Sequence, residues 1–287
     1  MYAILIYVAM AEISSEFGAE VWTPERIARF WDIVSSEPRL EKFYFSKAWK
    51  NVIVKIAEIG GLEEQEVLDY GCGPGFLSEH LVEKGYVTTA LEFSKASVER
   101  VNSLIGKHSN WEGCVFSEAF PSPLPSQSFG WIFSIETYEH LPQEWIDGYF
   151  REIYRLLKPG GRLFLTTPFA ENLDSSLILC PCCETRFHRW GHLRSTTEEE
   201  MNEVATSNGF TIEYCQGVSF EAFEDPNYLA YPESFFDWGS YVVKRFLYRL
   251  FRSNLKLRHT LGCQFNLDNL PHGENLVLIA SKPNSEG

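Results

Sequence analysis

A glycine-rich turn, D-Y-G-C-G-P-G at Asp69–Gly75, constrains the fold of this chain more than any other feature. It follows a short apolar run at 67–70 and precedes a segment with helical spacing at 76–84. Glycines let the backbone turn tightly and approach a ligand closely, and a helix N-terminus offers unpaired N–H groups. The G-x-G-x-G spacing differs from the G-x-G-x-x-G of dinucleotide-binding loops, and no Gly-Lys-Ser/Thr of a P-loop follows. The sequence therefore predicts a strand–loop–helix unit whose backbone contacts a ligand.

Short apolar runs and amphipathic stretches alternate after residue 66. We predict further strands at 87–91, 114–116, 131–135, 162–166, 210–214 and 275–280. Helices between them are indicated by a cap at Ser94, by apolar residues at helical spacing over 145–156, and by a capping box of Thr197 and Glu200. Such alternation is typical of an α/β fold with a doubly wound, mainly parallel sheet.

The first 64 residues do not follow this alternation. Thr23-Pro24-Glu25 has the pattern of a helix start, and aromatic residues at helical spacing follow it. We therefore interpret residues 1–64 as an N-terminal extension with a helical cap. The apolar run at 2–10 is interpreted as an extension upstream of a chain that starts at Met10, and we assign it no function.

Residues 65–287 are predicted to form the ligand-binding domain. Two inserts, 171–195 and 221–273, interrupt its alternation of strands and helices. Loops that leave the carboxyl ends of strands build the ligand site in folds of this class. We therefore expect the first insert, which follows the strand at 162–166, to contribute to that site.

Composition limits the classes of function. Of 287 residues, 45% are hydrophobic, which is enough for a packed core and argues against a disordered chain. The formal net charge of −14 argues against a nucleic-acid partner bound through a basic surface. Seven cysteines, with a tight cluster at 180–183, do not resemble a disulfide framework, so a reducing, cytoplasmic setting is expected.

An acidic residue, Glu92, follows the second predicted strand. In a parallel sheet the end of that strand lies beside the glycine loop. A carboxylate there can accept hydrogen bonds from both hydroxyls of a ribose. Together the loop and Glu92 predict a nucleoside ligand, without specifying which one.

Further motifs follow in a fixed order. They are E-A at 118–119, L-P-S-Q-S-F at 124–129, I-E-T-Y-E-H-L at 135–141 and L-L-K-P-G-G-R-L at 156–163. With the glycine loop, these motifs over residues 64–168 resemble the class I S-adenosylmethionine-dependent methyltransferases. The resemblance implies a seven-stranded Rossmann-like sheet whose last strand is antiparallel.

The resemblance also implies roles for individual residues. The methionine moiety would contact Gly71, Cys72 and Gly73, the ribose would contact Glu92, and the adenine would contact Phe93. Glu118 and Ala119 would meet the adenine edge and Ile135 would close the pocket. The predicted cofactor-binding set is Asp69, Gly71, Cys72, Gly73, Gly75, Glu92, Phe93, Glu118, Ala119 and Ile135. Two positions depart from the family pattern, since Glu118 and Gly130 each stand where an Asp is usual.

S-adenosylmethionine carries its own electrophile, a methyl group on a sulfonium. A hydroxyl acceptor needs a base or a metal ion to remove or withdraw its proton. His140 is the candidate base, with Glu136 as the second candidate catalytic residue. The alternative is that His140 packs at the start of a helix.

The first insert contains a second cluster of reactive side chains, Cys180-x2-Cys183-x4-His188-x3-His192. Thiolates and imidazoles at these spacings are typical of tetrahedral zinc. One prediction is therefore a structural zinc knuckle. The alternative is a set of free thiols beside surface histidines.

A competing prediction uses Glu136, Glu139 and His140 together with His192. This set resembles the divalent-metal site of ubiquinone-biosynthesis O-methyltransferases and of small-RNA 3′-end 2′-O-methyltransferases. In those families the metal binds the acceptor hydroxyls. Because His192 cannot readily serve both sites, the two metal predictions compete.

The second insert, 221–273, combines aromatic residues with a local excess of Lys and Arg. It is predicted to be a cap over the substrate pocket. The alternative is an amphipathic helix that contacts an anionic membrane or a lipid-linked acceptor.

The predicted function is methyl transfer from S-adenosylmethionine to a hydroxyl of a small molecule, a glycan, or a quinone-like or lipid-linked acceptor. One alternative is a catalytically silent docking module on the same fold. A second alternative is an NAD-dependent oxidoreductase, which the G-x-G-x-G spacing does not favour.

Overall fold

A computed structural model of the chain describes residues 22–63, 66–224 and 266–284. Its strands are β1 (Glu66–Tyr70), β2 (Val87–Glu92), β3 (Trp111–Phe116), β4 (Phe129–Ile135), β5 (Leu157–Pro168), β6 (Leu177–Leu179), β7 (Arg186–His188), β8 (Thr211–Val218) and β9 (Asn275–Ser281). Its helices are α1 (Pro24–Ser36), α2 (Phe45–Ile59), α3 (Phe76–Glu83), α4 (Lys95–Ile105), α5 (Ile146–Leu156) and α6 (Glu198–Ser207).

Seven of these strands form one sheet in the order β3-β2-β1-β4-β5-β9-β8. β9 is antiparallel to both of its neighbours, whereas the other neighbouring strands pair in parallel. The strand order reverses between β1 and β4, and ligands of such sheets bind at this point, outside the carboxyl ends of the strands. The predicted α/β class, the doubly wound topology and the antiparallel last strand are confirmed.

Helices cover both faces of the sheet. On one face α2 and α3 bury Ile56 and Leu77 against the strands. On the other face α5 and α6 bury Tyr149, Ile153 and Met201. Because both faces of the central strand β4 are covered, all of its residues are buried and nearly all are apolar.

The N-terminal region divides into two parts. As predicted, Thr23 caps α1, with its hydroxyl accepting from the Arg26 N–H. The Ser94 hydroxyl, at the start of α4, donates to Asp32 of α1, and the Arg100 guanidinium donates to the Ser35 carbonyl at 2.8 Å. Thus α1 lies over the strand ends as a cap, but α2 belongs to the helix layer of the sheet.

Two strands start three or more residues before the position that the sequence predicted. β3 starts at Trp111 instead of 114, and β5 starts at Leu157 instead of 162. In β5 the Pro-Gly-Gly segment stays hydrogen-bonded, since Gly160 N–H donates to the Lys282 carbonyl at 2.8 Å and Lys282 N–H donates to the Gly161 carbonyl at 2.9 Å. These partners are more than 120 residues away in sequence, so the local pattern did not reveal them.

The two inserts are described to different extents. The first contains a 3-10 helix, Leu173–Ser176, and the antiparallel hairpin of β6 and β7. Most of the second insert, including the aromatic and basic stretch, lies outside the described residues, as does the apolar run at 2–10. Among the residues that are described, no helix has the length and apolar character needed to cross a membrane.

Candidate active site

A cavity of about 530 Å³ lies at the carboxyl ends of β1, β2 and β4. The glycine loop and the residues after β2 line one end of it. The residues after β4, the first insert and the N-terminal cap line the other end. The cavity therefore occupies the place where the strand order reverses.

The glycine loop follows β1 and requires glycine for two reasons. Gly71 and Gly73 have φ angles of 76° and 52°, in the left-handed region. A Cβ atom on Gly71 would also lie 2.7 Å from the Thr137 hydroxyl oxygen. Gly71, Cys72 and Gly73, the three residues predicted to contact the methionine moiety, all line the cavity.

Glu92, at the end of β2, also lines the cavity. Its carboxylate accepts three backbone hydrogen bonds, from Gly73 at 2.8 Å, Phe93 at 2.8 Å and Ser94 at 2.9 Å. Burial raises the pKa of the Glu92 carboxyl, and these three N–H donors oppose that rise. Glu92 thus connects the loop after β1 to the loop after β2 through hydrogen bonds, a structural role that the sequence did not reveal. Its contact with a ribose stays a prediction.

The four residues predicted to surround the adenine and close the pocket also line the cavity. Phe93 follows β2, Glu118 and Ala119 follow β3, and Ile135 ends β4. Their roles toward adenine stay predictions. The geometry shows that these three chain segments meet at the carboxyl ends of the strands.

Two residues of the predicted cofactor set do not line the cavity. The Asp69 carboxylate is buried inside the fold and accepts a hydrogen bond from Ser78 at 2.6 Å. Burial raises the pKa of Asp69 to about 7. Gly75 begins α3 with a φ of 83°, and a Cβ atom there would lie 2.8 Å from Val101. Asp69 and Gly75 therefore contribute to the conformation of the glycine loop, while their predicted contact with the cofactor stays a prediction.

The other polar end of the cavity starts at Glu136, directly after β4. Glu136 has a φ of 49°, and its N–H donates to the Thr166 carbonyl of β5 at 3.1 Å. A 3-10 turn, Tyr138–His140, follows and buries the Glu139 and His140 side chains. The sharp turn thus places both glutamates and the histidine at the cavity wall.

Glu136 and Glu139 form a pair of buried carboxyl groups. Burial raises the pKa of Glu136 to about 7. Burial, followed by the nearby charge of Glu136, raises the pKa of Glu139 well above its usual range. The Thr167 hydroxyl donates to Glu139 Oε2 at 3.1 Å, but the Oε1 atoms of both glutamates are buried without a hydrogen-bond partner. Two buried carboxyl groups this close are not both ionised unless a proton or a cation lies between them.

His140 lies beside this pair. Its Nδ1 atom is 3.2 Å from the Gly191 carbonyl oxygen, which can only accept, so Nδ1 carries the hydrogen. Burial lowers the pKa of His140 to about 3, and the neighbouring His192 adds to the effect. The imidazole is therefore neutral, and its Nε2 lone pair lies 3.6 Å from Glu139 Oε1.

The first insert brings His192 to the same place. Its ring centroid is 4.9 Å from that of His140. Among the described residues, two groups have ligand atoms within 4.8 Å of one another: Glu139, His140 and His192, and Glu171, His188 and His192. The structure therefore assembles three residues of the Glu136, Glu139, His140 and His192 set into one candidate metal group, with Glu136 beside it.

The structure does not bring the predicted knuckle ligands Cys180, Cys183, His188 and His192 together. Cys180 lies in the turn after β6, whereas His188 pairs with Leu177 at the far end of the hairpin. Three residues of strand separate those positions by roughly 10 Å. His188 and His192 face Glu171 instead, and Cys183 is exposed. This arrangement does not support the four-ligand zinc knuckle, which stays a prediction.

Aromatic side chains form the remaining wall of the cavity. Trp31 of α1 packs edge-on against His140, with ring centroids 4.8 Å apart. Tyr44 is 6.1 Å from Trp31, and Trp145 and Trp190 complete this wall. An apolar, aromatic-lined space therefore adjoins the carboxylate–imidazole group.

The sequence did not identify Glu171 or Trp31 as site residues. Glu171 lies three residues after β5 ends, at the same edge of the sheet as Glu136, so its position after a strand end was a usable signal. Trp31 gave no such signal, because aromatic residues at helical spacing are usually core residues. Only the fold places α1 over the strand ends.

Comparison with known proteins identifies the family. A family model described as a methyltransferase domain matches residues 40–214. The chain belongs to this family. The predicted membership of the S-adenosylmethionine-dependent methyltransferases is thereby confirmed, and the family match favours it over the nicotinamide-dependent alternative.

Curated relatives of this family match over a shorter stretch. A ubiquinone biosynthesis O-methyltransferase from Pseudomonas aeruginosa is 33% identical over 114 residues, which are 39% of this chain and 48% of the relative. The corresponding protein from Pseudomonas fluorescens is 32% identical over the same share. The chain thus matches about half the length of these relatives.

Solved structures share the family fold over most of the chain. The 1,6-didemethyltoxoflavin-N1-methyltransferase of Burkholderia thailandensis, solved with bound 1,6-didemethyltoxoflavin and S-adenosylhomocysteine, has a TM-score of 0.57 at 18% identity, and the match covers 91% of each chain. A putative methyltransferase of Haloferax volcanii, solved with the Trm112 activator, has a TM-score of 0.56 at 16% identity and covers 88% of this chain and 97% of that one. At these identities the likeness concerns the fold alone.

Proposed function

We propose that the protein transfers a methyl group from S-adenosylmethionine to a hydroxyl oxygen, and that a divalent cation held by Glu139, His140 and His192 prepares that oxygen. One observation carries the proposal. One ligand atom from each of Glu139, His140 and His192 lies within 4.8 Å of the others, and Glu139 Oε1 is buried without a hydrogen-bond partner, at the wall of the cavity that the glycine loop also lines.

The donor set fits a cation better than a hydrogen-bonded cluster. His140 Nδ1 faces the Gly191 carbonyl and His192 Nδ1 faces the Glu171 carboxylate at 2.5 Å. Both carbonyl and carboxylate oxygens accept, so each Nδ1 atom carries the hydrogen and each Nε2 atom presents a lone pair. Lone pairs that face the unpartnered Glu139 oxygen repel it unless a proton or a cation lies between them.

The chemistry of the donors also fits. Imidazole and carboxylate ligands suit Zn²⁺, Mn²⁺, Fe²⁺ and Co²⁺, and three protein ligands leave positions open for an acceptor oxygen. When bound, such a cation supplies Lewis acidity that lowers the pKa of the coordinated hydroxyl. The resemblance implied four ligands, including Glu136. Because Glu136 lies near this group but outside it, we assign it a role other than cation binding.

The residues of the chain position the reaction. The Gly71–Gly73 loop and Glu92 would hold the cofactor at the cavity wall. The aromatic wall of Trp31 and Trp145 holds the acceptor and excludes water from its oxygen. In-line placement at near-attack distance supplies much of the rate enhancement.

The proton has a defined destination. As the acceptor oxygen attacks the methyl carbon, the carbon–sulfur bond breaks and its electron pair stays on sulfur, giving neutral S-adenosylhomocysteine. The hydroxyl proton passes to Glu136 Oε1, a buried carboxylate oxygen without a partner at the cavity wall. The base proposed from sequence, His140, instead presents its free nitrogen to Glu139.

The experiment measures cofactor binding, cation binding and transfer separately. Calorimetry with S-adenosylhomocysteine tests the first and titration with Mn²⁺, Zn²⁺ and Co²⁺ tests the second. Radiolabelled S-adenosylmethionine, offered with aryl-diol, glycan and amine acceptors with and without EDTA, tests the third. Label on a hydroxyl acceptor that EDTA abolishes supports the proposal. Transfer to oxygen that is unchanged by EDTA contradicts the cation, and a chain that binds S-adenosylhomocysteine but methylates nothing favours the docking-module alternative.

A further inference from the structure

Glu171, the first residue of the first insert, contacts His192 of the candidate metal group. It follows β5, and its Oε2 atom accepts a hydrogen bond from His192 Nδ1 at 2.5 Å. Its Oε1 atom lies 3.3 Å from His188 Nε2. The two histidines lower the pKa of Glu171 to about 2, although its partial burial acts in the opposite direction. One carboxylate therefore faces both histidines of the insert.

His188 reinforces this arrangement from the other side. Its Nδ1 atom accepts from the backbone N–H of His192 at 3.1 Å, so its hydrogen is on Nε2, the atom that faces Glu171. Its ring stacks on that of His192 with centroids 4.3 Å apart and an interplanar angle of 24°. His188 is buried, so neither contact is an exposed surface pairing.

We propose that Glu171 and His188 are positioning residues, which fix the tautomer and the ring orientation of His192 so that its Nε2 atom points to Glu139 and His140. This proposal rests on the proposed function, because it concerns the same cation. A ligating histidine that donates its second N–H to a carboxylate is held in one tautomer and is a stronger ligand for it. The stacked His188 ring limits rotation of the His192 ring.

The geometry argues against a second cation held by Glu171, His188 and His192 themselves, although their ligand atoms also lie within 4.8 Å of one another. Two ligands about 2.0–2.2 Å from one tetrahedral ion lie roughly 3.3 Å apart. The His192 Nδ1 to Glu171 Oε2 distance of 2.5 Å is shorter than that. It matches a hydrogen bond between an imidazole and a carboxylate.

Three variants test the proposal in the full chain. Glu171→Gln removes the carboxylate charge but keeps the side-chain shape, and His188→Asn removes the stacked ring. Asp174→Asn, an exposed carboxylate in the same insert, is the matched control. Calorimetry with S-adenosylhomocysteine reports whether each variant keeps its fold.

The first readout is the affinity and stoichiometry of Co²⁺ and Zn²⁺. We expect one cation per chain, bound about 10- to 100-fold more weakly in Glu171→Gln and less weakened in His188→Asn, with the control unchanged. Unchanged affinity in Glu171→Gln would overturn the proposal. So would a wild-type stoichiometry of two that falls to one in this variant, because Glu171 would then be a ligand.

The second readout does not depend on a bound cation. Nitrogen-15 NMR of the cation-free protein distinguishes the two imidazole tautomers, and we expect His192 to be protonated at Nδ1 in the wild type and mixed in Glu171→Gln. Should the wild type bind no cation, the proposed cation fails, but this spectrum still decides the positioning role. A His192 tautomer that is the same in both proteins overturns that role.

Discussion

At one end of the cavity the wall includes the main chain of the glycine loop, whereas at the other end it includes carboxylate and imidazole side chains from segments far apart in sequence. Gly71 and Gly73 present their backbone, and Glu92 is bonded to three N–H groups. The opposite end combines Glu139 after β4 with His192 of the first insert. The geometry of the glycine-loop end is therefore set by backbone conformation. The geometry of the opposite end is set by the packing of the first insert against the loop after β4.

The largest expected effect is at the glycine loop. Gly71→Val should weaken S-adenosylhomocysteine binding by about 100-fold or more, since each 1.4 kcal/mol of strain is a factor of ten. It adds a side chain at a φ of 76°, where Cβ would lie 2.7 Å from Thr137. Gly85→Val is the control, because it has a φ of 99° but no atom within 4 Å of its Cβ position. Equal losses in both variants would mean that backbone strain alone is responsible.

A substitution at the opposite end of the cavity should weaken cation binding and leave cofactor binding unchanged. Glu139→Gln should weaken Co²⁺ binding by at least about 100-fold, more than the loss of an outer-shell partner, because it removes a charged ligand. Binding of S-adenosylhomocysteine should stay within about threefold, since a neutral isostere leaves the loop unchanged. Calorimetry with both ligands measures this, with the exposed Glu144→Gln as the control. Loss of both ligands together would show that the two ends are not independent.

The amino-acid sequence predicted the residues of the glycine-loop end more completely than those of the opposite end of the cavity. The glycine loop and Glu92 rest on short-range motifs, and the alternation of strands and helices predicted the doubly wound sheet. The number of strands and the antiparallel last strand were implied by the resemblance. The group of Glu139, His140 and His192 was found only through a resemblance, in competition with a cysteine knuckle of equally good spacing. Spacing did not separate them, because β7 extends the chain and moves His188 away from Cys180.

The contributions of Glu171 and Trp31 were missed for a related reason. Each acts through a contact between segments far apart in sequence: Glu171 with His192, and Trp31 with His140. Tertiary contacts of this kind leave no period and no motif. Residues that support a site from another element are therefore harder to predict than those within a loop.

At the same end of the cavity, a substitution of Glu136 should lower the rate of methyl transfer more than it weakens cation binding. Glu136→Gln should lower kcat by about 100-fold, the usual contribution of a positioned base, because it removes the atom that takes the hydroxyl proton. Co²⁺ affinity should change less than in Glu139→Gln, since Glu136 acts on Glu139 through its charge but lies outside the ligand group. Steady-state kinetics and Co²⁺ titration on one preparation measure both. A loss of Co²⁺ binding equal to that of Glu139→Gln would make Glu136 a fourth ligand.

A smaller effect is expected at the aromatic wall. Trp31→Ala should raise the KM for the acceptor by about 3- to 10-fold, the range expected for the loss of aromatic packing, with S-adenosylhomocysteine binding unchanged. The control is Ile33→Ala, because that residue lies on the same helix with 60% of its surface exposed. Steady-state kinetics with varied acceptor provides the measurement. A fall in kcat at constant KM would show that Trp31 orients His140 instead of holding the acceptor.

The smallest effect is expected in the cysteine turn, which lies beyond both ends of the cavity. Cys180→Ser with Cys183→Ser should leave the Co²⁺ and Zn²⁺ stoichiometry at one per chain. The free energy of unfolding should change by no more than about 0.5 kcal/mol, the range for surface substitutions. Cys183 is exposed, and its thiol donates to the Thr185 hydroxyl two residues along the chain, so serine can keep that contact. Metal analysis after dialysis and denaturant unfolding measure both quantities. Loss of the bound cation in this variant, with retention in Glu139→Gln, would restore the cysteine knuckle and remove the cation from the cavity.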